Sequence, residues 1–173
     1  MERRAPYQDL IRVAKSSDAD IDLIELGCRL AFKQGATTDD AMKRVAAARW
    51  RLAKSFRIDG ERALKAEPPM NRVAVNRFYY CMYHSMRAVM YLAYGGDHYQ
   101  DHAKLATKEP AGFIAAIPWQ NALKSARLER NMCDYDPYPA SDQLFAAAAR
   151  SMHSEARAIH RAARDFLHSK GAL

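Results

Sequence analysis

Apolar positions recur at helical spacing along nearly the whole chain, and nowhere does a sustained apolar–polar alternation compete with them. Residues 6–15 predict a short first helix. Asp18 or Asp20 caps a second, which carries Ile21, Leu23, Ile24, Leu26, Leu30 and Phe32 and stops at Gly35. Thr37 and Thr38, followed by Asp39 and Asp40, signal the start of a third. That helix carries Met42, Val45, Ala48, Trp50, Leu52, Ala53 and Phe56 and is expected to end before Gly60. Pro68 and Pro69 break the chain. A long helix then runs from about residue 70 to Tyr94, where Gly95 and Gly96 stop it. A polar loop, DHYQDH, follows. Residues 103–117 are ambiguous because Pro110 and Gly112 interrupt them. Residues 119–132 predict another helix, DYDPYPAS a turn-rich loop, and Ser141 the cap of a last helix reaching about His168. The fold class expected is all-α.

Composition narrows the setting. A chain of 173 residues suits one domain, or one domain with an appendage, burying roughly 70% of its unfolded surface. No apolar run approaches the ~20 residues of a membrane span, and MERRAPYQDL lacks a secretory core, so a cytoplasmic protein with no membrane partner is expected. Cys28, Cys81 and Cys133 are odd in number and widely spaced, as in packing thiols of a reducing compartment. A net charge of +7 favours anionic partners such as RNA, nucleotides or an acidic protein.

The long helix is the most informative element. At ~100° per residue, Val75, Phe78, Met82, Met86, Val89, Met90 and Ala93 share a core face. Asn76, Arg77, Tyr80, Tyr83, His84, Arg87 and Tyr91 fall opposite. A solvated face would carry Glu–Lys pairs at i, i+4, and this one has none. Rings with polar tips, arginines and a histidine suit either a packing or dimer surface, or a wall facing a ligand. His84 alone is read more readily as a satisfied core histidine than as a catalyst.

A second polar set, Arg130, Asn131, Asp134 and Tyr135, lies in RNMCDY at the end of the next helix. The run NRFYYCMYHSMRAVMYLAYGG, then His102 in YQDHAKL, then ERNMCDYDPYP, resembles the HEPN domain family, in particular small prokaryotic members paired with minimal nucleotidyltransferases. The resemblance covers about residues 46–167 and leaves residues 1–40 outside. It implies two parts, an N-terminal helical extension over 1–40 and, over 41–173, an up-and-down helical bundle that forms a homodimer. In active members an Arg followed closely by a His cuts RNA without metal, the two protomers facing one cleft. Arginine stabilises charge on the phosphoryl group and histidine moves the proton of the attacking 2′-hydroxyl.

This chain matches half of that motif. Arg130 and Asn131 are in place, while the window for the His holds Tyr135, Asp136 and Pro137, with Asp134 just before. An aspartate, ordinarily titrating near pH ~4, is ill matched to proton transfer at neutral pH. The departure resembles an Asp-Tyr subgroup regarded as accessory or binding proteins. Three roles are open for the cluster: a structural clasp in which Arg130 pairs with Asp134 at i, i+4; a nucleotide or RNA phosphate site; or a metal-independent endoribonuclease using Arg130 with His84 or Asp134.

Elsewhere, Asp97, His98, Asp101 and His102 bring two histidines to i, i+4, but no clear third ligand follows and no metal is expected. Arg150, Arg157, Arg161, Arg164 and His168 share one side of the last helix, as a solvated face or a phosphate-tracking strip. No Gly-rich phosphate loop or nucleophile elbow is present, and no cofactor is expected. The combined expectation is a dimeric HEPN-like protein of a toxin–antitoxin, defence or RNA-handling system. It binds a nucleotide, RNA or a nucleotidyltransferase partner through Arg77, Tyr80, Arg87, Asn131, Tyr135, Arg157 and Arg161, around Arg130.

Overall fold

The structure, a computed structural model, describes residues 17–35, 37–138 and 141–173. The helix expected over 6–15 lies outside them. The described residues hold five α-helices and no strand, which bears out the all-α helical bundle. The chain divides into two compact units, Met1–Ala41 and Met42–Leu173.

In the first unit, α1 spans Asp18–Gln34. Its cap is Ser17, not Asp18 or Asp20. The Ser17 side chain accepts from the Asp20 backbone N–H, and the Asp20 carboxylate accepts from the Ser17 N–H, a reciprocal capping box. Gly35 ends the helix in the left-handed region, at φ 58°. Leu23, Ile24, Leu26 and Phe32 are exposed.

The helix α2, Thr38–Lys65, opens with a similar exchange between Thr37 and Asp40. It does not end before Gly60 but passes through it for five more residues. Gly60 serves packing, not termination: a Cβ there would stand 2.6 Å from Cε1 of Phe78. The bare backbone lets the buried ring lie directly against the helix.

The second unit is organised around α3, Asn71–Tyr94. Phe78, Met82, Met86, Val89 and Val75 are wholly buried, as their spacing predicts, and each such side chain contributes about 1.5–3 kcal/mol. Tyr79, Cys81, Ser85 and Ala88 are buried as well, so α3 is enclosed on nearly every side. Gly95, at φ 72°, ends it. After α3 the chain forms a short 3-10 turn, Leu105–Thr107, where the sequence was ambiguous. The helix α4, Trp119–Tyr135, runs one turn beyond its expected end, so Asp134 and Tyr135 are helical. A 3-10 turn, Asp142–Phe145, leads into α5, Ala146–Ser169.

Ser141 makes no capping bond. The cap falls instead to Asp142 and acts on a different helix. Its carboxylate accepts from the backbone N–H groups of Asn71, at 2.7 Å, and Arg72, at 2.9 Å, at the start of α3. The N-terminus of α3 has no side-chain cap of its own, and its exposed donors and positive dipole end suit a carboxylate. Arg72 then reaches the other way, donating to the Cys133 carbonyl at 2.9 Å in the last turn of α4. These contacts hold the start of α3 against the end of α4, where the polar sets of the two helices meet.

Candidate functional site

Arg130 stands where α3 and α4 meet. One guanidinium nitrogen donates to the Tyr80 hydroxyl at 2.7 Å, another to the Asn131 side-chain oxygen at 3.1 Å. Its Nε lies 2.7 Å from Asp134 Oδ2, near enough for an ion pair but not aligned for a hydrogen bond. The guanidinium carbon also lies 5.2 Å from the Tyr135 ring centre and 5.4 Å from that of Tyr80. Burial opposes its charge, and the Tyr80 hydroxyl and Asp134 more than restore it. Asp134 is held by Asn76 too, whose Nδ2 lies 3.0 Å from both carboxylate oxygens. The clasp anticipated between Arg130 and Asp134 therefore exists and is wider than a helix pair.

Beside it lies a residue whose part in the site was not read from the sequence. The Tyr79 hydroxyl hydrogen-bonds His102 Nδ1, and His102 stacks on Tyr83 at 4.1 Å between ring centres. Arg130 sits 5.8 Å from the Tyr79 ring, so Tyr79 touches both the arginine and the histidine. Burial, then Arg130 and Arg127, push the His102 pKa down, and the imidazole is neutral at pH 7. Burial keeps the Tyr79 phenol protonated. Among the described residues its one hydrogen-bond partner is His102 Nδ1, and the His102 tautomer sets which of the two donates. With the phenol donating, Nε2 carries the proton and is a hydrogen-bond donor; with the imidazole donating, Nε2 is an acceptor.

His102 also lines a cavity of about 410 Å³ with Ala106, Leu123, Lys124, Arg127 and Asn131. Among the described residues its polar lining comprises two cations, one imidazole and one amide, with no carboxylate. Such a set donates hydrogen bonds to an anion and offers no repelling charge. The arginine four residues before Asn131 was hidden in the sequence because nothing in the RNMCDY cluster points back to it. His102 was visible as one of four residues in a polar loop and as part of the family resemblance, but neither tied it to this cavity.

The remaining candidates fall into separate groups. His84 stacks on Phe56, 5.4 Å between centres and 2° from parallel, with Tyr80 on the same ring. Its Nδ1 is buried without a partner among the described residues, and burial followed by Arg87 and Arg49 brings its pKa down to about 4. Arg77 lies over Phe56 at 5.6 Å. Arg87 is bound into an ion-pair set: it contacts Asp97, which Arg49 grips with both nitrogens at 2.7 and 2.8 Å. Tyr83 is buried and donates to the Gln100 carbonyl. The polar side of α3 is thus mostly covered, by Phe56 of α2 and by the loop after α3, where an open wall was one expectation. Arg157 and Arg161 line another groove, with Trp50 and His160. Among the described residues no three His, Cys, Asp or Glu side chains gather closely enough to hold a metal ion. No helix among them is long and apolar enough to cross a membrane.

Compared with protein families, with curated proteins and with solved structures, the chain matches none.

Proposed function

We propose that residues 42–173 form a HEPN-like binding module that takes the phosphate of a nucleotide or RNA in the cavity beside Arg130. The observation that carries this is the cavity's polar lining: Lys124, Arg127, Asn131 and His102, without a carboxylate among the described residues. Arg130, spent largely on Tyr80, Asn131 and Asp134, positions the wall of that cavity through Asn131 and Tyr79. The motif resemblance supports a cytoplasmic homodimer in a toxin–antitoxin, defence or RNA-handling system with a minimal nucleotidyltransferase partner. Leu128, Met132 and Tyr135, spaced i, i+4, i+7 on α4 and exposed, supply an apolar stripe for such a contact.

Thermal unfolding with and without AMP, ATP or a short oligoribonucleotide tests this reading. A ligand at one hundred times its dissociation constant adds about 2.7 kcal/mol, a readily measured rise in midpoint. The double variant Lys124→Gln with Arg127→Gln is expected to lose the rise. If none of the three ligands moves the wild-type midpoint, the binding role is wrong.

A second role, metal-independent endoribonuclease, is favoured by one observation: Arg130 and His102 meet the same Tyr79 ring. Cleavage requires His102, His84 or Asp134 to accept a proton. His84 Nδ1 is buried, Asp134 is already engaged by Asn76 and Arg130, and His102 serves only in the tautomer that leaves Nε2 bare. Incubation of labelled RNA with the protein in excess chelator separates the two roles: binding without cleavage is expected, and cleavage abolished by Arg130→Ala favours the enzyme.

A further inference from the structure

The α2–α5 groove holds a concentration of positive charge that the Arg130 site does not use. Lys54 and Arg57 of α2 and Arg157, Arg161 and Arg164 of α5 line a cavity of about 300 Å³, and no carboxylate among the described residues lines it. Its floor is rigid. Trp50 and His160 stack at 4.6 Å, 4° from parallel, and the Trp50 indole donates to the His160 carbonyl at 3.2 Å. His160 is buried and its Nδ1 is bonded to Ser85 at 3.1 Å.

Ordinary surface cations are compensated at i, i+4. Here the compensation is partial. Arg57 pairs with Glu61, and Arg164 with Asp165. Among the described residues Lys54, Arg157 and Arg161 have no carboxylate partner, although they converge on one cavity. Like charges gathered without counter-ions destabilise a compact fold unless an anion joins them. On α5 the row continues past the cavity, to Arg150 before it and His168 after it. From Arg150 to His168 that side of the helix runs ~27 Å at 1.5 Å per residue.

We infer that this groove is a second anion site, built for a run of phosphate groups. Guanidinium forks match phosphate oxygens two at a time, and the linear row on α5 matches successive phosphates along a strand better than one compact ion. The run belongs either to a single-stranded RNA backbone or to the polyphosphate of a nucleotide. The Trp50–His160 stack sets the depth of the groove, and the three uncompensated cations supply the attraction. This site is independent of the cavity beside Arg130, with which it shares no lining residue.

The test is fluorescence anisotropy of a labelled oligouridine across a salt series, with unlabelled tripolyphosphate as competitor. Three phosphate contacts on a single strand give a slope of log affinity against log salt of about −2, at ~0.7 per contact. The double variant Arg157→Gln with Arg161→Gln, both on the exposed side of α5 and expected to fold, should bind at least tenfold more weakly, with a slope near −0.7. Repeating the series in the Lys124→Gln, Arg127→Gln background, where the cavity beside Arg130 is disabled, isolates the groove: a slope of about −2 that persists there belongs to the groove, and its loss in that background assigns the binding to the other cavity and overturns the inference. Displacement by tripolyphosphate together with oligouridine binding assigns the groove to phosphates in general, and binding of tripolyphosphate alone assigns it to a nucleotide's polyphosphate. If the double variant binds both probes as the wild type does, if affinity is indifferent to salt, or if neither probe binds, the inference is overturned.

Discussion

The Tyr79 hydroxyl meets His102 Nδ1 across the joint between α3 and the loop that follows it, and the phenol, as donor in this contact, is expected to leave the imidazole proton on the outward Nε2. Tyr79→Phe removes the donor and leaves Nδ1 to find another. Loss of one such bond costs about 0.5–1.5 kcal/mol. Nitrogen NMR of the imidazole is expected to show the Nε2–H form in the wild type and a tautomer mixture in the variant. A wild-type Nδ1–H signal would reverse the donor assignment at the cavity.

Gly60→Ala should destabilise the protein despite the better helix propensity of alanine. Propensity alone predicts a gain of about 1 kcal/mol in a helix interior. The new methyl would stand 2.6 Å from Cε1 and 2.9 Å from Cδ1 of Phe78, whose ring is buried and stacks on His153 at 5.1 Å. Overpacking of this kind costs about 1–3 kcal/mol, so the net sign is a loss. Urea unfolding of the two proteins decides it, and a more stable variant would mean that the Phe78 ring has room to move.

Asp142→Ala should weaken the start of α3 although the mutated residue lies in another element. Two backbone N–H groups lose their acceptor, as does the Asn71 side chain at 2.9 Å. Removal of a helix cap costs about 0.5–2 kcal/mol. Hydrogen exchange at Asn71 and Arg72 should accelerate more than exchange in the middle of α3. Uniform acceleration along the helix would assign Asp142 a general packing role.

Stability should fall as the pH drops from about 6.5 toward 4. His84 and His160 are both brought down to about 4, first by burial and then by neighbouring cations, Arg87 and Arg49 for the former and Arg57 and Lys54 for the latter. Unfolded, both titrate near ~6.5. Below that pH the unfolded chain takes up protons that the fold refuses, so the stability present above ~6.5 is lost on the way down. Asp97, held to about 2 by its bonds to Arg49 and then by Arg87, stays charged over that window and keeps its ion pairs. Denaturant midpoints measured from pH 7 to pH 4.5 should decline, and His160→Gln should flatten the decline. A flat wild-type profile would show that both rings are protonated in the fold.

Much of the architecture was legible in the residue pattern because helices are local. The 3.6-residue spacing of Val75, Phe78, Met82, Met86 and Val89 marks a buried stripe, and the Gly95 and Gly35 stops follow from backbone geometry at single residues. Gly60 misled for the same reason: locally it is a helix breaker, and only Phe78, eighteen residues on, explains why the helix needs it there. Charge and motif likewise marked Arg130, Asp134 and the α5 arginines as polar groups needing partners.

What those partners are depended on distances between elements far apart in the chain. Asp142 caps α3 from seventy-one residues away, Arg87 is taken by Asp97, which Arg49 shares, and His102 is drawn to Tyr79 across twenty-three. Spacing along a helix states which side chains share a face; it carries no information on which face of another helix will meet them. Periodicity therefore settled that the five helices of the described residues exist, while several of their caps and ends were decided by tertiary contacts. Packing of α3 against α2, α4 and α5 settled which of its polar groups are bound internally and which face a cavity, because burial and hydrogen-bond partners exist only once the chain has closed on itself.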